Sequence, residues 1–473
     1  MDTSNKQFRD ILILGGGPAG LAAADVLAMA GTPFIVIEGN SSVGGLARTI
    51  QHNGFRFDLG GHRFLTDNKK LEHLVRQALN GEILEVTRSS KILFHNKYYD
   101  YPLEPWNALS GLGFITSFKI IFNYALAQIK SRLWHTELVS LEDWIVCHFG
   151  RTMFTIFFKD YSEKVWGINC DEIAMEWAAQ RIRGLSLFKA IKDAFFPTKD
   201  KDVRTLARKF LYPTYGFGRI CEGLNSRILK GNNNEVLTRA RIVGIQHAGQ
   251  RIESITVQRG EDTHVYGANE FIGSIPITAV VNLLDPAAPP EILEAASKLK
   301  FRDLIIVTVM IDRDRVTDQT WIYIPDPEVP FGRIHEPKNW STVMAPAGKT
   351  HLVTEYFCFN SDPIWLQTNQ ELTELTVKHL HKLGFIKPDE VIDSVVLRIP
   401  KAYPLFAVNY MKHYEQVFHY LEGFVNLHLI GRAGKFKYYN TDHAMESGIA
   451  AAENIVARNQ NSVFERLKEL QPF

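Results

Sequence analysis

Cysteine is scarce and scattered. Cys147, Cys170, Cys221 and Cys358 are the four in 473 residues, and none has the short paired spacing of a zinc site or a dithiol redox centre. A disulfide framework is set aside, and a reducing, cytoplasmic setting is the expectation. An excess of either charge is also missing: 53 basic against 52 acidic residues leave +1, so no global field attracts nucleic acid or an anionic surface. Any anion site must be local. No apolar run reaches transmembrane length, and the polar start, Met1 to Asp10, lacks a basic-then-apolar leader pattern. H-E-x-x-H, Walker and G-x-S-x-G patterns are absent, as are internal repeats and low-complexity tracts. His379-Leu-His381 is the nearest histidine pair, but its i, i+2 spacing on a predicted helix aims the rings at different faces, so it reads as solvated surface and no metal is expected.

What is present suits a large folded protein. The 45% hydrophobic content supports a sizeable core, and the length suggests about three ~150-residue units. Ile11 to Leu14 reads as a buried strand, Pro18 opens a helix through Ala30, and Phe34 to Ile37 is a second strand. Such a βαβ unit requires a parallel sheet. Hairpins are predicted at Thr49 to Phe57, turning on His52-Asn-Gly54, and at Lys91 to Tyr99, turning on His95-Asn96. Pro105 to Ile191 is largely helical, and 197–204 is a polar break. Within it, Trp106 to Trp134 carries Phe114, Phe118, Ile121, Phe122, Ala125 and Ile129 at helical spacing; a buried amphipathic helix is expected there, with a membrane-surface helix as the alternative. Strand patterns return at 235–246, 252–259, 304–311, 321–324, 351–359 and 425–430, with a helix at 369–383.

Gly15-Gly-Gly17-Pro-Ala-Gly20 fits G-x-G-x-x-G directly after a strand and at the opening of a helix. Gly15 permits the tight turn, Gly17 lets the backbone approach a pyrophosphate, and Gly20 allows close helix–strand packing. Pro18 and Ala19 begin the helix, whose free N–H groups and dipole suit phosphate. Glu38 ends the second strand where an acid can bind ribose hydroxyls. Beyond it, Gly44, Gly45, Leu46 and Arg48 add backbone donors and a guanidinium for a diphosphate. Near the other end, Gly431-Arg432-Ala-Gly434 follows an apolar strand, and Asp442-His443 opens a helix that Asp442 can N-cap.

This extended pattern resembles the FAD-binding amine oxidase, protoporphyrinogen oxidase and UDP-galactopyranose mutase superfamily over essentially the whole chain. Four segments resemble the mutases in particular: Gly60-Gly61-His62-Arg-Phe; Lys164-Val-Trp166-Gly with Trp177-Ala-Ala-Gln-Arg181; Trp321-Ile-Tyr323 with Phe331-Gly-Arg333; and Ala402-Tyr403-Pro404 with Gly431-Arg432 through Tyr438, Asn440, Asp442 and His443. Tyr212-Pro-Thr-Tyr-Gly216-Phe-Gly218 also suits a protoporphyrinogen oxidase or desaturase.

The resemblance implies an α/β architecture: a Rossmann-type FAD-binding domain from 1–75, 206–285 and 425–473, a sheet substrate domain with antiparallel strands from 76–104 and 286–424, and a helical subdomain at 105–205. Val243, in the middle piece, joins the implied cofactor set with Gly60, Gly61, His62, Gly431, Arg432, Asp442 and His443. His62, Arg181, Arg333, Tyr403, Arg432, Tyr438 and Asn440 are the implied catalytic set, the arginines gripping a substrate diphosphate with their planar donor forks. The implied reaction exchanges pyranose and furanose forms of a UDP-sugar through N5 of reduced FAD, with NAD(P)H as reductant and a nucleotide-sugar as the small-molecule partner. The alternatives are a net oxidoreductase of the protoporphyrinogen oxidase or amine oxidase type, and a protein that binds FAD without catalysis.

Overall fold

A computed structural model describes residues 6–101, 114–133, 137–176, 209–231 and 233–469. Arg181, Trp177 and the polar stretch 197–204 lie outside the described residues.

The strand Lys6–Leu14 runs between two parallel neighbours, Phe34–Ile37 and Asp262–Gly273. Its apolar run reflects burial on both faces, as parallel strands require. Ile11 and Ile13 face one core, with Phe34, Val36 and Ile272 and the helices Pro18–Met29 and Thr441–Glu469. Leu12 and Leu14 face the other, with Ile35, Ile37 and Phe271 and the helices Ile277–Asn282, Pro290–Lys298 and Tyr410–Glu422. Each of these fully buried side chains contributes about 1.5–3 kcal/mol. The whole sheet has eight strands among the described residues, drawn from 6–37, 235–285 and 427–429.

A seven-stranded sheet draws on 90–100 and 301–404, in the order Val391–Pro404, Phe301–Ile311, Thr350–Cys358, Arg333–His335, Trp321–Tyr323, Ser90–Phe94, Lys97–Asp100. Its pairings are antiparallel, except that Trp321–Tyr323 runs parallel to Ser90–Phe94. Both predicted hairpins form, with Asn53 and Gly54, and His95 and Asn96, at positive φ in their turns. Positive φ at both central residues is the geometry that matches strand twist.

Three local expectations are corrected. The stretch 235–246 is two strands: Glu235–Leu237 pairs with Phe34–Ile37, whereas Arg241–Ala248 lies across the sheet beside Arg251–Arg259. Period-2 patterning cannot reveal where a strand changes partners. The closing helix starts at Thr441 and its first turn closes from Ala444 N–H to Asn440 O, so Asn440 takes the capping position and Asp442 lies in the first turn. Finally, the helix Phe114–Leu133 forms, but of its residues only Ile120 is buried; Phe114, Phe118, Ile121, Phe122 and Ile129 are exposed. The expected buried amphipathic helix therefore presents its apolar side outwards. The flanks of that prediction, 106–113 and 134, lie outside the described residues.

Candidate active site

The glycines of the first turn divide into two kinds. Gly15 has φ +109°, and its N–H donates to Ile37 O at 2.8 Å. A Cβ there would overlap Ser274 Oγ, and one on Gly20 would overlap Gly15 O, so the packing of the chain itself demands both. Gly17 differs: its φ of −78° suits any residue, and the nearest atom to an added Cβ is Gly45 Cα, 4.0 Å away. The open space over Gly17, at a helix start whose leading N–H groups need partners, fits a bound pyrophosphate.

Around that space the chain is tightly tied. Glu38, 5% exposed, accepts from Gly16 N–H (2.9 Å) and from the backbone and side chain of Asn40 (2.8 and 2.6 Å). One lone-pair position on Oε2 stays available for a ribose hydroxyl. Gly44, at φ +113°, donates to Gly16 O, and Gly45 follows at φ +52°. Arg48 donates through Nε to Gly45 O at 3.0 Å; burial lowers its pKa and the Glu38 carboxylate acts against that shift. Leu46 packs against the apolar cluster that contains Phe57, Leu304 and Ile306. Gly448 lets the closing helix press onto Ala19 O, where a Cβ would overlap, so the two cofactor-side helices touch backbone to backbone. Gly431, at φ +71°, approaches the same residue and donates to Ser447 Oγ. Val243 is a half-exposed bulge residue of the strand Arg241–Ala248, and Leu237 and Ala240 make the backbone bonds to Glu38.

A cavity of about 420 Å³ lies between the C-terminal turn and helix, the Gly60–His62 segment and the second sheet. Gly60, Gly61 and His62 line one side, Arg333 and Tyr403 come from the seven-stranded sheet, and Arg432, Tyr438, Asn440, Asp442 and His443 come from the C-terminal turn and helix. These residues are distant in sequence and converge on one space.

His62 donates through Nδ1 to Gly60 O at 3.0 Å and stacks on Phe217. Burial, helped by Arg432 and Arg333, pushes its pKa down to about 4. Since a carbonyl can only accept, the ring is the neutral Nδ1–H tautomer and Nε2 keeps its lone pair. Phe217 is fixed by Asp58, a fully buried carboxylate that accepts from Phe217 N–H, Tyr212 OH and Thr49 Oγ1.

Arg333 lies against Glu355, with Nη2 to Oε2 at 2.6 Å, and donates to Tyr403 OH at 3.2 Å. Glu355 is fully buried and also accepts from Gly61 N–H at 3.1 Å, so one carboxylate positions the arginine and the Gly60–His62 segment together. Burial disfavours the charge on Arg333, but Glu355 and the surrounding tyrosines outweigh it and raise its pKa well above the ordinary value. Arg432 donates to Tyr439 O (2.7 Å) and Ala402 O (3.3 Å), and its guanidinium stands over the rings of Tyr403 and Tyr438. Those rings are nearly parallel at 6.1 Å. Burial raises the pKa of Tyr403, so its hydroxyl keeps its proton at neutral pH.

Some of the lining was not legible in the sequence. Arg88 and Tyr101 reach the cavity without any distinguishing local pattern, and Arg63, Trp321 and Tyr323 lie inside resembling segments without having been singled out as site residues. Glu355 left a faint signal, a single acid inside the apolar strand Thr350–Cys358. Lys164, within a segment of the family resemblance, instead donates to three backbone carbonyls, Ile324 O, Asp326 O and Val329 O, and closes a loop.

The profile of the Flavin containing amine oxidoreductase family matches residues 18–456. Among solved structures, reduced UDP-galactopyranose mutase superposes with a TM-score of 0.82 at 20% identity, over 95% of this chain and 96% of that one. A provisionally named protoporphyrinogen oxidase from Exiguobacterium superposes with a TM-score of 0.73 at 17% identity, over 97% and 100%. At such identities the likeness is one of fold. All-trans-retinol 13,14-reductase from Danio rerio is 36% identical over 76 residues, which is 16% of this chain and only 12% of that protein.

Proposed function

Because the chain belongs to the flavin containing amine oxidoreductase family, and is thereby an enzyme of the flavin-dependent oxidoreductase or mutase superfamily, we propose that it binds FAD and interconverts the pyranose and furanose forms of a nucleotide-sugar, with a UDP-sugar as first candidate. One observation carries the choice among the chemistries of the family. The cavity is lined by Arg63, Arg88, Arg333 and Arg432, and Asp442 is the one carboxylate among its lining residues. With His62 neutral, this wall suits a diphosphate. A protonated amine would be repelled by this excess of guanidiniums, and a wholly apolar polyene would desolvate them without returning hydrogen bonds.

In this reading the helix start at Gly15, Gly17, Pro18, Ala19 and Gly20, the Gly44–Gly45 turn, Leu46, Arg48 and Glu38 hold the dinucleotide. The backbone of Gly60 and Gly61, with Gly431, Asp442 and His443, borders the flavin ring. Reduced flavin supplies the nucleophilic nitrogen, with NAD(P)H as electron donor. The chain supplies position and charge. Arg333, held by Glu355, and Arg432, held by Tyr439 O and Ala402 O, clamp the substrate phosphates; Arg181 is proposed to add a third guanidinium. Tyr403 and Tyr438 donate hydroxyl hydrogens to phosphate, Asn440 bonds a sugar hydroxyl, and Nε2 of His62 accepts a proton or hydrogen bond near the ring. Val243 remains a proposed contact of the FAD domain.

The test is to incubate dithionite-reduced and oxidised protein with UDP-, GDP- and dTDP-sugars and resolve the ring forms by chromatography. Exchange by the reduced protein alone is expected. Turnover by oxidised protein alone, consuming oxygen on a substrate without a nucleotide, refutes the mutase reading and favours the oxidase alternative. Bound flavin with neither activity favours a non-catalytic role.

A further inference from the structure

The helix Phe114–Leu133 is built inside out. Its protein-facing side is mainly small or polar: Thr116, Ser117, Asn123, Ala127 and Gln128 are half-buried, with Tyr124 half-buried among them and Ile120 the one buried anchor. Gln128 donates to His148 O at 3.0 Å, and Gly150 approaches the backbone of Asn123 closely, so this polar side packs on the neighbouring helix Leu141–Phe149. The opposite side holds Phe114, Ile115, Phe118, Ile121, Phe122, Leu126, Ile129 and Leu133, with Phe114 87%, Ile115 73% and Leu133 66% exposed. At roughly 100° per residue these fall within an arc of about 140°. Such a continuous apolar face on a surface helix marks an interaction site.

The charges choose the occupant. The helix carries Lys119, Lys130 and Arg132 and no acidic residue. Lys119 and Lys130 border the apolar arc, and Arg132, in the last turn, falls within it beside Leu133 where its long side chain can reach headgroups, all three exposed. Two copies of this face set against each other would bring like charges together with no carboxylate on the helix to pair them. An anionic lipid surface satisfies both features: acyl chains receive the phenylalanine and isoleucine side chains while headgroups pair with the cations. Among the described residues no helix is long and apolar enough to cross a membrane, so the geometry suits a helix lying in the interface. We propose that the Phe114–Leu133 helix docks this protein on an anionic membrane surface, its axis parallel to the bilayer.

The experiment uses the full chain with bound flavin in a flotation assay against phosphatidylcholine vesicles with and without phosphatidylserine. Binding is expected for the phosphatidylserine vesicles, and it should weaken as salt is raised. Phe118→Glu combined with Ile129→Glu should cut binding by about tenfold or more, since each substitution takes a buried apolar group out of the acyl region. Lys119→Glu with Lys130→Glu should remove the preference for phosphatidylserine while leaving the flavin spectrum unchanged. Because all four residues are exposed, these variants keep the fold, and flavin absorbance with circular dichroism verifies it. Wild-type protein that floats with neither vesicle overturns the proposal. So does binding untouched by Phe118→Glu/Ile129→Glu, and so does a dimer in wild type that this pair dissociates without any vesicle binding, which would make the face an interface between copies.

Discussion

Gly17→Ala and Gly20→Ala are the same chemical change three residues apart, and the structure assigns them opposite consequences. At Gly20 the new methyl overlaps Gly15 O and lies 3.2 Å from Ile13 Cγ2. Neither can yield without moving the first strand or its turn, and overpacking of this kind costs about 1–3 kcal/mol. At Gly17 the backbone is extended and the nearest protein atom to the new methyl is Gly45 Cα at 4.0 Å, an ordinary contact. Alanine is a poorer N-cap than glycine but narrows the unfolded ensemble, and these effects offset to within about 1 kcal/mol. Flavin-free Gly17→Ala should therefore unfold like wild type, whereas flavin-free Gly20→Ala should melt several degrees lower. FAD affinity reverses the order of interest. A methyl at Gly17 fills the space argued to admit the pyrophosphate and lengthens its bonds to the helix N–H groups, and losing one charge-assisted bond of about 1.5–3 kcal/mol weakens binding roughly ten- to hundredfold. Thermal unfolding of the flavin-free proteins and titration with FAD measure the two effects separately. Wild-type FAD affinity in Gly17→Ala would refute the reasoning, as would an unfolding temperature for that flavin-free variant as low as that of Gly20→Ala.

Other consequences concern the cavity. Glu355→Gln leaves Arg333 charged without its buried counter-ion and should cost about 3 kcal/mol of stability; Arg333→Met in the same chain should restore much of that, and strictly additive losses in the double variant would show that the pair is not coupled. Arg432→Lys keeps the charge but cannot stand over two tyrosine rings while bonding Tyr439 O and Ala402 O, so turnover should fall about tenfold or more, read from steady-state rates. His351, fully buried against Phe55 and Phe57, has its pKa pushed down to about 3 by burial, from the ordinary 6.5 of an exposed histidine. Its folded form favours the neutral ring, so the stability it contributes is complete above pH 6.5 and drains as pH falls through that value towards 3. Asp58, pushed up to about 6 by burial, acts in the opposite direction, because it holds its proton more tightly folded than unfolded. Comparing wild type with His351→Phe by urea midpoint against pH isolates the histidine, and the variant should lose less stability between pH 6.5 and 4.

Local chemistry carried the cofactor half of this protein into its sequence. A turn between strand and helix needs glycine at defined offsets, a buried parallel strand needs an unbroken apolar run, and a two-residue hairpin needs residues that accept positive φ. Gly15, Gly20, Ile11 to Leu14 and His52-Asn-Gly54 are therefore readable one neighbourhood at a time. The arginine–tyrosine wall is not local. Arg88, Arg333 and Arg432 come from different strands and turns, and nothing within a few residues of any of them distinguishes a cavity-lining guanidinium from a surface one. Their matching to a family suggested Arg333 and Arg432 and brought Arg63 along inside a resembling segment, while Arg88 and the buried Glu355 emerged only when the sheets were assembled. The Phe114–Leu133 helix makes the same point from the other side. Periodicity declares that a helix has an apolar face, because side-chain spacing is a property of the helix alone. Whether that face meets the core or the solvent depends on which neighbours the rest of the chain brings against it, and that is decided only by the tertiary fold.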